Sequence, residues 1–177
     1  RKTTGWGVLA AVVAAMILLF QNLREEPPPA PGYFAVKRIV DGDTIVVEGG
    51  GIFFKVRLAG IDAPELGGRG IPGQPYAARS KDYLASLVSG RHVALKQVGL
   101  DDFNRPLIFL RCGDIDVNLR MVENGMAEAY RGETEFDVRP FLKAEEKARR
   151  LRLNIWSQSN YESPKEWRRR HRRPPGS

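Results

Sequence analysis

Four carboxylates and two arginines stand at short spacings between residues 41 and 105 of this 177-residue chain: Asp41 and Asp43 in Asp41-Gly42-Asp43-Thr44, then Arg57, then Asp62 and Glu65 in Asp62-Ala63-Pro64-Glu65, then Arg105. Oxygen donors in that number suit a hard divalent cation such as calcium, which tolerates irregular geometry and accepts backbone carbonyls and waters beside carboxylates. Guanidinium donors suit the equatorial oxygens of a phosphodiester under attack. Together they point to metal-assisted phosphoryl chemistry. Each piece also has a plainer reading. Asp-Gly-Asp-Thr between strands makes an ordinary β-turn, and Arg57, set in the apolar Val56-Arg57-Leu58-Ala59, could form a structural salt bridge to nearby acids.

Composition narrows the alternatives. The single cysteine, Cys112, cannot form an internal disulfide, and with only His92 and His171 beside it no thiolate or imidazole zinc cluster is available. The net charge of +7 is unevenly distributed: residues 143–177 hold 11 Lys/Arg against 4 Asp/Glu, whereas residues 1–142 hold 17 of each. The surplus peaks at Arg168-Arg169-Arg170-His171-Arg172-Arg173. Residues 160–177 therefore read as a basic tail without fixed structure, either a solvated face or a contact for nucleic-acid phosphate or anionic lipid.

The elements that must position the site follow from the hydrophobic pattern. Residues 5–20 carry no charge, and Arg1 and Lys2 precede them, so residues 1–23 read as a transmembrane helix or a signal sequence. A cleaved signal wants small residues after its apolar run, and Phe20-Gln21-Asn22-Leu23 stands there, which favours an uncleaved anchor with the remainder on the extracytoplasmic (periplasmic or extracellular) side. Residues 24–32 form a Pro-rich linker, stiffened in polyproline geometry.

From Tyr33 the period becomes two. Strands are expected over 33–39, 44–47, 52–58, 92–98 and 106–112, with Gly49-Gly50-Gly51 turning one hairpin. Ala77, Ser80, Leu84, Leu87 and Val88 recur at helical spacing and Gly90 stops that helix. A second helix runs over about 117–123 to Asn124-Gly125, and a third presents Phe141, Ala144, Ala148 and Leu151 on one face. The fold class is α+β, a small five-stranded β-barrel with three helices.

The ordered set Asp41-Gly42-Asp43-Thr44-Ile45, Val56 through Glu65, Asp102-Phe103-Asn104-Arg105, Val117-Asn118-Leu119, Glu123 through Ala127 and Leu153-Asn154-Ile155-Trp156-Ser157 resembles the staphylococcal nuclease (thermonuclease) family over about residues 33–159. The resemblance implies an OB-fold and calcium-dependent, sugar-nonspecific hydrolysis of DNA and RNA. It assigns Asp43, Asp62 and the Ala63 carbonyl to the metal, with Asp41 in the outer shell, and Arg57, Glu65 and Arg105 to catalysis. Glu65 would be the general base or the residue that orients water.

Departures from the family pattern fall on the nucleotide side. Phe103 replaces a tyrosine and keeps a stacking face without the hydroxyl. Asn104 replaces a glycine, which asparagine tolerates in left-handed geometry. Tyr130 or Arg131 stands where the family has a second tyrosine, and Lys37 is a further phosphate candidate at a strand edge. Asn154 and Trp156 belong to the matched ending, with packing and capping as their expected work. A monomer is expected. The alternative function is a non-catalytic nucleic-acid-binding or envelope interaction module on the same fold; loss of Glu65 or of either arginine would mark it, and all three are present.

Overall fold

The structure, a computed structural model, describes residues 32–68 and 70–171. The expected membrane anchor, nearly all of the Pro-rich linker and the last six residues lie outside the described residues. Among the described residues no helix is long and apolar enough to cross a membrane.

Alternation of buried and exposed side chains builds the barrel. Strands β1 (Tyr33–Ile39), β2 (Thr44–Gly49) and β3 (Ile52–Leu58) form an antiparallel meander, and Gly50 and Gly51, both at positive φ, make the tight turn between β2 and β3. After the two-residue β4 (Ile61–Asp62) and helix α1 (Ala77–Val88), the long strands β5 (His92–Leu100) and β6 (Pro106–Cys112) return to the sheet. The order is β3-β2-β1-β5-β6, and parallel pairing of β6 with β3 closes the five strands into a barrel. A short β7 (Ile115–Asp116) continues from β6, and β8 (Glu128–Ala129) pairs with β4 as a separate ladder. A five-stranded closed barrel of this kind is consistent with an OB-fold.

The core fills the barrel and the space beneath α1. Ile45, Val47, Val56, Leu58, Val93, Ile108 and Leu110 come from the strands, and Leu84, Val88, Met121 and Val122 from the helices. Helix α1 buries Ala77, Ser80, Leu84 and Val88, the face its spacing predicts, and ends before Gly90 at positive φ. Helix α2 (Val117–Glu123) starts at Asp116, whose carboxylate accepts the Leu119 N–H at 3.0 Å. Helix α3 (Arg139–Arg150) differs from expectation in its buried face. Phe141 and Ala148 are buried, but Leu151 is 55% exposed as the helix ends there, and Glu145 is buried instead. Glu145 is tolerated because Arg131 pairs with it and the Ala129 N–H donates to it.

The largest departure lies at the carboxyl end. Three helices are expected, and the described residues hold four. Helix α4 (Pro164–Arg170) occupies part of the stretch read from sequence as an unstructured tail. It starts at a capping box: the Ser163 hydroxyl accepts the Glu166 N–H, and the Glu166 carboxylate accepts the Ser163 N–H, both at 3.2 Å. Pro164 follows at the first turn and is buried.

One buried amide reinforces the closure made by the β3–β6 pairing. Asn118 in α2 donates from Nδ2 to the carbonyls of Ala59 and Ile108, both at 2.9 Å, and its Oδ1 accepts the Leu110 N–H at 2.9 Å. Strand β6, the residue that follows β3 and helix α2 are thereby fastened at one fully buried side chain. Replacing Asn118 with alanine leaves these backbone groups without that partner in the core, so the expected loss is about 3 kcal/mol of unfolding free energy. Urea denaturation of the two chains measures it, and a loss under ~1 kcal/mol would show that this amide does not reinforce closure.

Candidate active site

The acidic floor is assembled from two turns. In the β1–β2 turn the Asp41 carboxylate accepts the Asp43 N–H at 3.1 Å, and the Val40 and Asp41 N–H groups both donate to the Thr44 carbonyl. Gly42 is required by crowding: a Cβ there would stand 2.0 Å from the Ser80 Oγ of α1 and 2.8 Å from the Ala63 Cβ. The turn therefore sits directly against α1 and against the segment that follows β4. From that segment the Ala63 N–H donates to Asp43 Oδ2 at 3.0 Å. Asp43 Oδ1 accepts the Thr44 hydroxyl at 2.9 Å.

Arg57 joins the two acids. It stands opposite Thr44 in the β2–β3 ladder, which aims its side chain over the turn. Its Nη1 donates to Asp43 Oδ1 at 3.0 Å and its Nη2 to Asp62 Oδ1 at 2.8 Å. Asp62 is held in β4 by pairing with Glu128, and its side chain is 3% exposed. Burial pushes the Asp43 carboxyl up from its ordinary 3.8 to about 7; Arg57 opposes the shift, and Asp41 and Asp62 add to it. Arg57 is raised above its ordinary value: burial works against its charge, but Asp43 and Asp62 outweigh it.

Glu65 leaves the same segment three residues after Asp62. Its backbone is pinned by Gln74, whose Oε1 accepts the Glu65 N–H at 3.1 Å and whose N–H donates to the Glu65 carbonyl at 2.9 Å. Gln74 Nε2 then donates to the Glu162 carbonyl at 2.7 Å, tying this loop to the approach of α4.

The structure thus brings Asp41, Asp43, Arg57, Asp62, Ala63 and Glu65 together. Arg105 is arranged differently. Its Nε donates to Asp101 Oδ2 at 2.6 Å within the β5–β6 turn, where Asn104 takes the left-handed conformation at φ 57°. Leu107 is the β6 partner of Arg57, and Arg105 lies two residues before it, at the end of the turn that enters β6. Of the residues expected to meet a nucleotide, Phe103 is 79% exposed with the Arg105 guanidinium 5.3 Å from its ring centroid, and Tyr130 is 40% exposed. Lys37 pairs with Glu48 at 3.7 Å. Arg131 is engaged by Glu145 and by the Ala129 carbonyl, so it braces α3 against β8.

Three contributors escape a reading of the sequence. Gln74 is one. Glu128 is another, a buried acid next to Asp62 whose Oε2 accepts the Tyr161 hydroxyl at 2.8 Å. The third is Arg168 of α4, which donates from Nη1 to Asp62 Oδ1 at 2.9 Å and to Glu65 Oε1 at 2.5 Å, and from Nη2 to Asp62 Oδ2 at 2.7 Å. The signal for α4 was present in Ser163-Pro164-Lys165-Glu166, a helix start by its cap, its proline and its acid. Nothing in a run of arginines says which of them turns inward.

Among the described residues no three Asp, Glu, His or Cys side chains converge as a ready cation cage in this arrangement. The donor set nevertheless fits a hard cation. Asp41, Asp43, Asp62 and Glu65 present only oxygen, and they outnumber the two guanidiniums that face them. The upward shift of Asp43 follows first from its burial, with Asp41 and Asp62 adding to it against Arg57.

Residues 55–158 match the family described as staphylococcal nuclease homologue. A micrococcal nuclease of Shigella flexneri is 34% identical over 91% of this chain and 92% of its own length. An uncharacterized endonuclease of Haemophilus influenzae is 35% identical over 77% and 73%. A probable staphylococcal-like nuclease of rice, Oryza sativa subsp. japonica, is 36% identical over 68% of this chain but only 23% of its own length.

Glu128 yields a test of the site's electrostatics. Burial pushes its carboxyl from the ordinary 4.5 up to about 7, against the hydrogen bond from Tyr161 and with Asp62 adding to the shift. An acid whose folded pKa lies above its unfolded value holds more protons when folded between the two. Its ionisation therefore lowers stability as pH rises from about 4.5 to about 7, and the loss persists above that window. Glu128→Gln keeps an acceptor for Tyr161 and removes the charge. It should be more stable than the parent by on the order of 1–3 kcal/mol at pH 8 and equal to it at pH 4. Urea unfolding at both pH values decides, and an equal difference at both would contradict this account.

Proposed function

Because the chain belongs to the staphylococcal nuclease homologue family and is by that kinship a hydrolytic nuclease, we propose that it is a calcium-dependent endonuclease that cleaves DNA and RNA without regard to the sugar. The observation that carries the reading is the bridge at Arg57, which holds two buried aspartates from separate turns beside Glu65. Such an arrangement suits a phosphodiester better than a neutral substrate, because cationic donors and anionic oxygens alternate over a short distance.

The residues that would hold calcium are Asp43, Asp62 and the Ala63 carbonyl, with Asp41 behind them, and the chemistry it supplies when bound is polarisation of a phosphate oxygen. Arg57 uses two of its five donors on the aspartates, which leaves three to face a phosphate. Glu65 accepts a proton from the attacking water. Arg105, stacked beside Phe103 at the exposed rim, offers its remaining donors to the same phosphate while the Phe103 ring takes a base. The apolar, uncharged stretch of residues 5–20 supports a membrane-anchored protein whose barrel works on the extracytoplasmic side.

Cleavage of single-stranded DNA and of RNA by the full chain in saturating calcium, and none in chelator, is the expected result. Glu65→Gln and Arg57→Lys should each lower kcat/KM by roughly 10²- to 10⁴-fold while thermal melting stays cooperative. If parent and variants cut at the same rate, these residues do not carry the reaction. If the parent leaves both polymers intact but retains them on a filter, the chain is a binding module.

A further inference from the structure

Arg168 stands 106 residues from Asp62 in sequence, yet it forms the densest polar contact in the site. Its guanidinium takes both Asp62 oxygens as a fork and one Glu65 oxygen besides. Arg57 already holds Asp62 Oδ1. Both oxygens of the proposed metal-binding aspartate are therefore occupied, together with one oxygen of the proposed base. Arg57 and Arg168 together take three of the roughly four lone-pair sites of Asp62 and place positive charge where a divalent cation would sit, so the Arg168 guanidinium and the cation compete for that carboxylate.

The helix that carries Arg168 is held to the barrel by few bonds. Besides the Arg168 fork these include the Gln74 to Glu162 hydrogen bond, the Tyr161 to Glu128 hydrogen bond, the packing of Tyr161 on Trp156 and the burial of Pro164. A seven-residue helix is not stable by itself, so its persistence depends on that docking. Its outer side exposes Arg169 and Arg170. The Arg168 side chain is itself 39% exposed, open to competing anions from the solvent side.

We propose that α4 is an autoinhibitory strap: Arg168 occupies the Asp62 and Glu65 carboxylates in place of the divalent cation, and nucleic-acid phosphate draws Arg168 off them through the Arg168–Arg170 run. The proposal rests on the nuclease reading for the meaning of Asp62 and Glu65. The exchange is one of ion pairs. Phosphate oxygens take over the guanidinium, and the freed carboxylates turn to the cation. An active site regulated in this way is closed when no polyanion is present and opens on the substrate that it cuts.

The test begins with calcium alone, added to the purified full chain without nucleic acid and followed by titration calorimetry. Arg168→Ala should bind calcium at least about tenfold more tightly than the parent, since it removes a charge-assisted competitor. Arg168→Lys, which keeps the charge but loses the fork, should fall between. Lys165→Ala, altered at an exposed side chain on the same helix, should match the parent. Hydrogen exchange adds a readout independent of activity: the amides of residues 164–170 should exchange faster when calcium and a single-stranded oligonucleotide are added, with those of β2 and β3 unchanged. Equal or weaker calcium binding by Arg168→Ala, or an unchanged exchange rate in 164–170 on saturation, overturns the strap. So does a fall in kcat at saturating calcium with unaltered calcium affinity, which would make Arg168 a catalytic residue. If the variant binds calcium more tightly but neither chain cuts nucleic acid, the strap stands and the nuclease reading fails.

Discussion

The site and much of the barrel's upper end depend on the guanidinium of Arg57 lying between Asp43 and Asp62. Both aspartates are almost fully buried, and two carboxylates so placed repel each other and lose their hydration. A planar cation with donors in a fixed fork answers both problems at once, because each Nη group serves a different acid. Removing the guanidinium would leave Asp43 without a cationic partner and Asp62 with Arg168 alone, so Arg57 is the one side chain that ties the turn bearing Asp43 to the segment bearing Asp62 through both acids. That tie in turn lets the Ala63 N–H reach Asp43 and lets Gly42 lie against Ser80 of α1. Chemistry and packing share the same few atoms.

Around this floor the molecule grades from rigid to open. Behind the acids, Asn118, the β4–β8 ladder and the Glu145–Arg131 pair are buried or half-buried and satisfied. In front of them, Phe103 and Arg105 project from a turn held by Asp101 alone, whose carboxyl is kept below its ordinary value because the Arg105 and Phe103 hydrogen bonds outweigh its burial. The carboxyl end crosses between these zones. Tyr161 packs on Trp156 with centroids 4.4 Å apart and the rings tilted by 57°, and it bonds Glu128, so the approach to α4 is seated on the buried side while Arg168 reaches the acidic one.

Sequence was a good guide wherever a local rule governs. Period-two alternation located the five long strands nearly to the residue, the spacing of Ala77, Ser80, Leu84 and Val88 gave the buried face of α1, and glycines at positive φ marked the turns. The acids and Arg57 could be read as a group because they fall on adjoining strands and turns. What stayed hidden depends on contacts between distant segments. The burial of Glu145 has no local signal, because the charge that makes it tolerable is Arg131, fourteen positions away. Glu128 and Gln74 carry no motif, and their roles arise from β4 pairing with β8 and from the loop folding back on Glu65. Arg168 was lost among its neighbours because charge density describes a run, whereas docking selects one member of it.

The closure of the barrel has a consequence for how the protein comes into being. The parallel seam between β3 and β6 consists of only two register pairs, Arg57 with Leu107 and Leu58 with Ile108, and it joins residues fifty positions apart. Contacts of that separation carry a large loop-closure cost and reward the chain only when both partners are otherwise in place. Arg57 lies on one side of the seam and Arg105 just beyond the other, so a chain with its seam open has its two arginines on unjoined strands. A chain with that seam open therefore holds Arg57 and Arg105 in no fixed relation, and only the closed barrel sets the distance between them.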